Sequence, residues 1–278
     1  MQIKVKTPAK INLTLEITGK RPDGFHELKS IMQMINLYDY LTFNIEKSDK
    51  TEITLAGTNP NIPYNEKNIV HKAITLFMDK ISAQPHKISV YLEKNIPSEA
   101  GLAGGSTNAA GTFLVLNKYF NNPLNKEELH KLCAILGSDL NVCLEGGCTL
   151  ATGRGEKVLP LPFREYPVSL IKPNIGISAK EGYQKYAELK NKPNKNNTDK
   201  MIEYLKNNID IKPLLYNDLE TAVFNHFKDL QKIKFANKNS IMSGSGSTYF
   251  VLEKTINPVE NFWIKTDLKT IPTGCEII

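Results

Sequence analysis

Residues 97–110 read Pro97-Ser98-Glu99-Ala100-Gly101-Leu102-Ala103-Gly104-Gly105-Ser106-Thr107-Asn108-Ala109-Ala110. An alternating segment before them, residues 88–92, is typical of a half-buried strand, and apolar residues at helical spacing follow as far as Phe120. The glycines permit close approach of the backbone to a ligand. A glycine-rich loop that opens a helix presents unpaired N–H groups at the positive end of the helix dipole, which suits a phosphate. On these residues alone, a phosphate-binding loop and an ordinary glycine-rich loop capped by Ser106 are equally good interpretations.

The chain has the composition of a globular protein with a substantial core. Of its 278 residues, 41% are hydrophobic and 23% are charged, which allows one large domain or two modest ones. The formal net charge of +6 suits an anionic small molecule. The lysine-rich segment 191–200 is interrupted by Asn and Pro, so it favours a solvated loop over a nucleic-acid-binding arm. We therefore expect no nucleic-acid partner.

Cysteine usage and hydrophobic pattern indicate the compartment. The four cysteines form neither a CxxC pair nor a zinc-like Cys/His spacing (Cys133, Cys143, Cys148 and Cys275). Free thiols without a disulfide framework are typical of a reducing compartment. The N-terminus lacks the apolar core of a signal peptide, and no apolar run is long enough to span a bilayer. These features predict a cytoplasmic protein with no membrane partner.

The N-terminal segment alternates apolar and polar residues from Ile11 to Thr18, the period of a strand with one buried face. On that pattern Lys10 and Asn12 share the polar face, where a solvated surface lysine is the simpler interpretation. Turn-forming residues 20–24 are followed directly by Phe25 and His26. This pair could stack on a flat ligand and hydrogen-bond its edge, or the histidine could be structural.

Two later segments place polar residues where the chain turns. Asp139 follows a helix that is predicted to end at Gly137, in a segment too apolar for a free surface loop. It is either a cap for the next helical turn or a functional acid. The turn Gly244-Ser245-Gly246 precedes a strand-like segment, and by itself it favours a simple connection between strands.

The order of elements predicts the fold class. Strand and helix patterns alternate in both halves, which indicates an α/β or α+β protein. We predict helix caps at Asn68 and Asn125 and a helix over residues 214–227. The glycine-rich stretch 146–155 and the prolines after it mark a domain boundary, so the prediction is one domain over 1–158 and a second over 159–278.

The common nucleotide-binding motifs are missing from the sequence. No Lys-Ser or Lys-Thr follows Gly104-Gly105, which excludes the common phosphate loop. The dinucleotide-binding glycine pattern and the motif set of the protein kinases are also missing. The glycine loop therefore belongs to another phosphate-binding design.

Three motifs in one order resemble the GHMP small-molecule kinases. They are Pro8-Ala9-Lys10-Ile11-Asn12-Leu13, the stretch 97–110 and the turn 244–246. The resemblance implies an α+β, two-domain GHMP kinase fold. Its N-terminal domain is expected to be like domain 2 of ribosomal protein S5 and its C-terminal domain ferredoxin-like.

Within that family, residues 19–28 and Gly137-Ser138-Asp139 resemble one branch. That branch uses ATP to phosphorylate the 2-hydroxyl of a cytidyl-diphosphate substrate built on methylerythritol, in the non-mevalonate isoprenoid pathway. The resemblance implies that Asp139 accepts the proton of the attacking hydroxyl and that Lys10 holds that hydroxyl. It also implies ATP and Mg²⁺ as co-substrate and cofactor, without assigning the metal ligands.

The resemblance further implies two sets of binding residues. The loop residues 97–108 would bind ATP, with Ser106, Thr107 and Asn108 at phosphate or magnesium, and with Asn68 and Lys94 at the adenine and ribose end. Phe25 and Tyr183 would sandwich the cytosine, and His26 would hydrogen-bond its edge. Asn12 would position the diphosphate arm, and Gly244, Ser245 and Gly246 would close the site.

The sequence departs from the family pattern at four positions. Phe25 stands where tyrosine is usual, Asn141 where proline is usual and Thr107 where a second serine is usual. Glu99 places an acid inside the phosphate loop, and we expect it to face away from the phosphates. Two alternatives stay open: a GHMP kinase for another alcohol, such as homoserine or mevalonate, and a catalytically silent nucleotide sensor. Retention of both Lys10 and Asp139 argues against the sensor.

Overall fold

The structure is a computed structural model that describes residues 1–193 and 195–278. Asn194, in the lysine-rich segment that we predict to be a solvated loop, lies outside the described residues. Part of that segment is helical, because a helix begins at Asn197.

The first 47 residues form two long antiparallel strands, β1 over Gln2–Lys20 and β2 over His26–Lys47. The intervening turn contains Gly24 at φ 86°, a left-handed conformation that favours glycine. Pro8 does not end β1, because the pairing register shifts between Pro8 and Ala9. Such an irregularity accommodates a residue that lacks an N–H to donate.

Ten shorter strands complete two sheets. In chain order they are β3 (Glu52–Gly57), β4 (His86–Glu93), β5 (Cys148–Gly153), β6 (Lys157–Pro160), β7 (Pro167–Lys172), β8 (Tyr216–Asn217), β9 (Ile241–Met242), β10 (Tyr249–Val251), β11 (Trp263–Lys269) and β12 (Glu276–Ile277). Among the described residues, the first sheet has the order β12-β1-β2-β4-β3, with β5 on β2, β6 on β5 and β8 on β1. The second sheet has the order β11-β7-β10-β9.

Eight α-helices pack on these sheets within the ranges 1–193 and 195–278. They are α1 (Ile69–Lys80), α2 (Gly104–Tyr119), α3 (Lys126–Leu136), α4 (Leu140–Glu145), α5 (Ala179–Glu188), α6 (Asn197–Lys206), α7 (Asp218–Val223) and α8 (Lys228–Ala236). The predicted caps are confirmed: Asn68 accepts the N–H of Val70, and Asn125 forms a capping box with Glu128.

The helix predicted over 214–227 is wrong at its start. Tyr216 and Asn217 pair with Thr14 and Leu15 of β1 as a short parallel strand. The helix then begins at Asp218, because the Asn217 side chain caps it by accepting the N–H of Leu219. It ends at Val223, and a 3-10 turn follows.

The core is formed where helices cover the sheets. Phe43 of β2 packs with Phe77 of α1 and Phe113 of α2 in one buried cluster. Leu170 and Phe250 of the second sheet pack in another cluster, together with residues of β1 and of the loop before α2. The architecture confirms an α+β protein, whereas the division at residue 158 and the S5-like and ferredoxin-like assignments stay predictions. Within the part of the chain that the structure describes, no helix combines the length and the apolar character that a bilayer crossing requires.

Candidate active site

A cavity of about 1200 Å³ lies where β1, the loop before α2, helix α5 and the turn after β9 meet. Pockets for one small organic ligand usually measure about 300–1,000 Å³, so this one has room for two substrates. All but two of the site residues predicted from the sequence line it; the exceptions are Thr107 and Gly246. The cavity therefore brings together residues that are more than 200 positions apart in the chain, Lys10 and Gly244 among them.

Lys10 and Asp139 form the polar centre of this cavity. Lys10 Nζ lies 3.4 Å from Asp139 Oδ2, and it donates to Asn12 Oδ1 at 2.7 Å and to the carbonyl of Gly101 at 3.0 Å. The Lys10 side chain is almost fully buried, whereas that of Asp139 is 30% exposed. The lysine is thus fixed by three oxygens, and the carboxylate remains open to the cavity. The expectation that Lys10 lies on a solvated face is wrong.

The position of Asp139 settles one alternative. It is the residue before α4, yet its side chain makes no capping hydrogen bond. Among the described residues, its only ion pair is the one with Lys10. A cap role is therefore wrong, and the carboxylate has free acceptor positions that face the cavity.

The loop between Pro97 and Ala103 reaches the centre through backbone groups. Glu99, Gly101 and Ala103 adopt positive φ values of 48°, 72° and 57°. A Cβ at Gly101 would lie 1.9 Å from the carbonyl oxygen of Ser243, so only glycine fits there. The Gly101 carbonyl also accepts from Ser243 Oγ at 2.9 Å. These contacts join the loop to Lys10 on one side and to the turn after β9 on the other.

Helix α2 opens towards the cavity at Gly104. Its N-cap residue, Ala103, provides no side-chain hydrogen bond, so the interpretation of a loop capped by Ser106 is wrong. Gly104, Gly105 and Ser106 line the cavity. Their first-turn N–H groups lie at the positive end of the helix dipole, an arrangement that suits a phosphate.

Three predicted ATP-binding side chains are engaged within the protein. Lys94 Nζ pairs with Asp39 Oδ2 at 2.7 Å, and Asn108 donates to the same oxygen at 3.0 Å. Burial lowers the pKa of Lys94, and the carboxylate of Asp39 opposes that shift. Thr107 is fully buried, with its hydroxyl 3.4 Å from Cys275 Sγ. The structure therefore does not bring the Thr107 hydroxyl to the cavity.

Other predicted residues also use their polar groups internally while they line the cavity. Asn12 is fully buried and donates to Ser30 Oγ at 2.9 Å besides holding Lys10. The Asn68 amide caps α1 and donates to Pro63 O at 2.6 Å. Gly244 and Ser245 line the cavity from the turn after β9, whereas Gly246 does not line it.

The far end of the cavity is aromatic. The rings of His26 and Tyr183 stack with centroids 5.1 Å apart and an interplanar angle of 17°. Phe25 lines the same region and is 52% exposed. The three predicted cytosine contacts are thus together, but one face of Tyr183 is taken by His26. Burial, followed by the charges of Lys192 and Lys20, lowers the pKa of His26, so its imidazole is neutral at pH 7.

Sequence reasoning missed Arg154, which lines the cavity beside Phe25. Its guanidinium carbon lies 5.1 Å from the Phe25 ring centroid, and Nη2 donates to Ala134 O at 3.1 Å. Among the described residues it has no carboxylate within ion-pair distance. Its remaining N–H groups are therefore available to an anionic ligand. The only signal was its position between two glycines, Gly153 and Gly155.

Two residues at which the sequence departs from the family pattern acquire partners in the fold. The Glu99 carboxylate lies against Gly176, where a Cβ would come within 2.3 Å of its Oε2. It also contributes to the electrostatic surroundings of Lys172. Asn141 is buried in the first turn of α4, and its Nδ2 donates to Glu156 O at 2.6 Å. That bond ties α4 to the turn that carries Arg154.

Comparison with known proteins identifies the family of this chain. The family model of the GHMP kinases N terminal domain matches residues 68–147, which include the loop before α2 and Asp139. A 4-diphosphocytidyl-2-C-methyl-D-erythritol kinase of Clostridium tetani is 36% identical over 278 residues, covering 96% of both chains. A Bacillus cereus kinase of the same name is 40% identical over 263 residues, covering 91% of this chain and 88% of the relative.

The chain belongs to the 4-diphosphocytidyl-2-C-methyl-D-erythritol kinase family of GHMP kinases. A solved structure of a 4-(cytidine 5'-diphospho)-2C-methyl-D-erythritol kinase agrees, with a TM-score of 0.73 and 28% identity over 89% of this chain and 88% of that chain. This membership makes the chain a kinase that uses ATP, and it confirms the family resemblance read from the sequence.

Proposed function

We propose that this chain transfers the γ-phosphoryl group of ATP to the 2-hydroxyl of 4-diphosphocytidyl-2-C-methyl-D-erythritol. The observation that carries the proposal is the Lys10–Asp139 pair, which lies in one cavity between a phosphate loop and an aromatic end. The names of the relatives support the same substrate.

In this proposal, Lys10 holds the attacking hydroxyl and Asp139 accepts its proton. A substrate hydroxyl between the two side chains accepts a hydrogen bond from Lys10 and donates one to Asp139. As the oxygen attacks the γ-phosphorus, its proton passes to the Asp139 carboxylate and the bond from the γ-phosphorus to the bridging oxygen of ADP breaks. Because Asn12 and Gly101 also hold Lys10 Nζ, the attacking oxygen has a fixed position.

ATP binds at the end formed by the loop before α2. The first-turn N–H groups of α2 receive the phosphates, and the Ser106 hydroxyl is within the same lining. Asn68 and Lys67 line the adjoining wall, where the adenine and ribose lie. This placement retains Asn68 as a wall residue, whereas Lys94 serves as a support beneath the helix.

Mg²⁺ would bind at this end only together with the phosphates of ATP. Within residues 1–193 and 195–278, no three His, Cys, Asp or Glu side chains cluster closely enough to hold a metal ion. Mg²⁺ is commonly bound through one or two protein oxygens together with substrate phosphates, and the Ser106 hydroxyl lines this end of the cavity with such an oxygen. The ion would neutralise the charge of the phosphate chain.

The cytidyl substrate occupies the aromatic end. In this proposal Phe25 and Tyr183 stack on its cytosine and His26 hydrogen-bonds the base edge, which requires the His26 ring to leave its stacked position on Tyr183. Arg154 lies beside Phe25 with free donors, and a guanidinium pairs well with a diphosphate. The cavity thus offers a separate cation for the phosphates of the second substrate.

The finer architecture is part of the same proposal. Residues 1–158 and 159–278 would form an S5-domain-2-like and a ferredoxin-like domain, with the turn 244–246 closing the cavity from the second. We place the enzyme in the cytoplasm with small-molecule partners only.

A coupled ADP-release assay tests the function. Purified protein, ATP and Mg²⁺ are combined with 4-diphosphocytidyl-2-C-methyl-D-erythritol, and in parallel with homoserine or mevalonate. We expect turnover with the cytidyl substrate and none above background with the others. Faster turnover of another alcohol would assign a different substrate, and ATP binding without turnover of any alcohol would favour a nucleotide sensor.

A further inference from the structure

Asp39 of β2 is a buried carboxylate that the catalytic scheme does not use. Its side chain is 0% exposed, and that of its partner Lys94 is 6% exposed. Oδ2 accepts from Lys94 Nζ at 2.7 Å and from Asn108 Nδ2 at 3.0 Å. Oδ1 accepts from the backbone N–H groups of Asn95 and Ile96 at 2.7 and 2.8 Å. One fully buried carboxylate thus receives four donors.

These donors stand at the two ends of the ATP loop. Asn95 and Ile96 lead into the loop at Pro97, and Asn108 belongs to the first turns of α2. Lys94 also donates to Ile96 O, and a Cβ at Gly104 would lie 2.7 Å from Lys94 Nζ. The ammonium therefore packs directly beneath the residue that begins α2.

The loop itself has backbone conformations that need support. Glu99 and Ala103 have positive φ without being glycine, which costs free energy unless the surroundings fix them. Thr7 Oγ1 donates to Asn108 Oδ1 at 2.7 Å, so the Asn108 amide is oriented with its NH₂ group towards Asp39. The network is satisfied on each side of the carboxylate.

We propose that Asp39 is a positioning residue for phosphoryl transfer: it fixes both ends of the ATP loop and so directs the first turn of α2 at the phosphates. The inference rests on the proposed function for the identity of the nucleotide. Asp39 acts through Lys94, Asn108 and the backbone of Asn95 and Ile96, without touching either substrate.

Asp39→Asn tests this inference with little change in shape. The amide keeps an acceptor for the Asn95 and Ile96 N–H groups but turns an NH₂ group towards Lys94 and Asn108, which are themselves donors. Titration calorimetry uses two probes, a non-hydrolysable ATP analogue with Mg²⁺ and CDP. We expect affinity for the ATP analogue to fall by about 10- to 100-fold, the loss expected when hydrogen bonds to a charged phosphate are displaced, and affinity for CDP to stay within about twofold.

A second variant keeps the test decisive if Asp39→Asn does not fold. Asp39→Asn combined with Lys94→Met leaves no unpaired charge buried, and it should melt at a higher temperature than Asp39→Asn while still binding the ATP analogue weakly. Lys94→Met alone measures the part that is due to the lysine. Glu145→Gln is the control: Glu145 is also ion-paired and only 12% exposed, but it pairs with Lys126 and His130, outside the loop.

The inference is overturned if the folded variant binds the ATP analogue within twofold of the parent. It is also overturned if affinity for CDP falls by the same factor, since that pattern indicates general loss of structure. Failure of the proposed function gives a different result, namely a parent protein that releases no ADP with the cytidyl substrate, and it leaves the ATP-analogue titration interpretable.

Discussion

Lys10 Nζ lies nearer to two neutral oxygens than to the carboxylate of Asp139: 2.7 Å from Asn12 Oδ1 and 3.0 Å from Gly101 O, against 3.4 Å from Asp139 Oδ2. A lysine held mainly by a carboxylate would lose its main attraction whenever that carboxylate took up a proton. Here the two neutral acceptors hold it instead. In the proposed reaction, the carboxylate can therefore gain a proton while the ammonium stays beside the attacking oxygen.

Asp139→Asn should abolish most turnover and leave ATP binding intact. The amide retains the shape of the side chain but cannot accept the proton of the hydroxyl, and general-base assistance contributes about 10²–10⁴-fold. We expect kcat to fall by at least about 100-fold and affinity for an ATP analogue to stay within about twofold. Single-turnover rates and calorimetry measure the two quantities. A kcat within tenfold of the parent contradicts the role of Asp139 as the base.

Gly101→Ala should damage both folding and catalysis. The new Cβ would lie 1.9 Å from Ser243 O at a backbone φ of 72°, and overpacking of this kind costs about 1–3 kcal/mol. The displaced Gly101 carbonyl would also release Lys10 and Ser243. Thermal melting and kcat measure the effects. Gly19→Ala is the control, because its Cβ would meet Glu27 Cβ at an ordinary 3.8 Å; equal losses in the two variants would contradict the argument.

The motifs that resemble a known family were enough to find the parts of the candidate site that lie within them. Local pattern alone was not, because it favoured a solvated Lys10 and left Asp139 open between a helix cap and a functional acid. Lys10, Asp139 and the loop before α2 came from motifs. Asp39 did not, because its burial depends on Lys94 and Asn108, which lie 55 and 69 residues further along the chain.

The same reason explains the errors in the fold. The helix predicted from residue 214 begins four residues later because Tyr216 and Asn217 join β1, a partner about 200 residues away that local periodicity does not contain. Thr107 lies within the motif, but helical geometry turns its side chain inward to Cys275. A motif thus identifies a segment, whereas the direction of each side chain depends on the packing.

Phe25→Ala should selectively weaken binding of the cytidyl substrate. The ring is half exposed at the aromatic end and supports Arg154 through a contact of 5.1 Å. Stacking of a base on an aromatic ring is worth about 1–3 kcal/mol in nucleic-acid complexes. We expect KM for the cytidyl substrate to rise by about 5- to 100-fold, with a smaller change in kcat and in KM for ATP.

Two further substitutions sharpen the result for Phe25. Phe25→Tyr should retain the parent KM, because the ring is kept and the usual residue of the family is restored. Phe235→Ala removes a ring that is 87% exposed and does not line the cavity, so it should change no kinetic constant. An unchanged KM in Phe25→Ala would remove the stacking role.

His26 should make the stability of the protein depend on pH in mildly acidic solution. Burial and the charges of Lys192 and Lys20 lower the pKa of His26 below the ordinary 6.5. At pH values between the pKa of the folded state and that of the unfolded state, the unfolded chain therefore binds more protons than the folded chain. Stability from this group is therefore complete above about pH 6.5 and is lost as the pH falls towards and through the folded pKa.

We expect the Tm of the parent to fall more between pH 7 and pH 5 than that of His26→Gln, with other groups acting equally on both. Thermal melting across this range in buffers of constant ionic strength measures the difference, and parallel Tm profiles for the two proteins would contradict it.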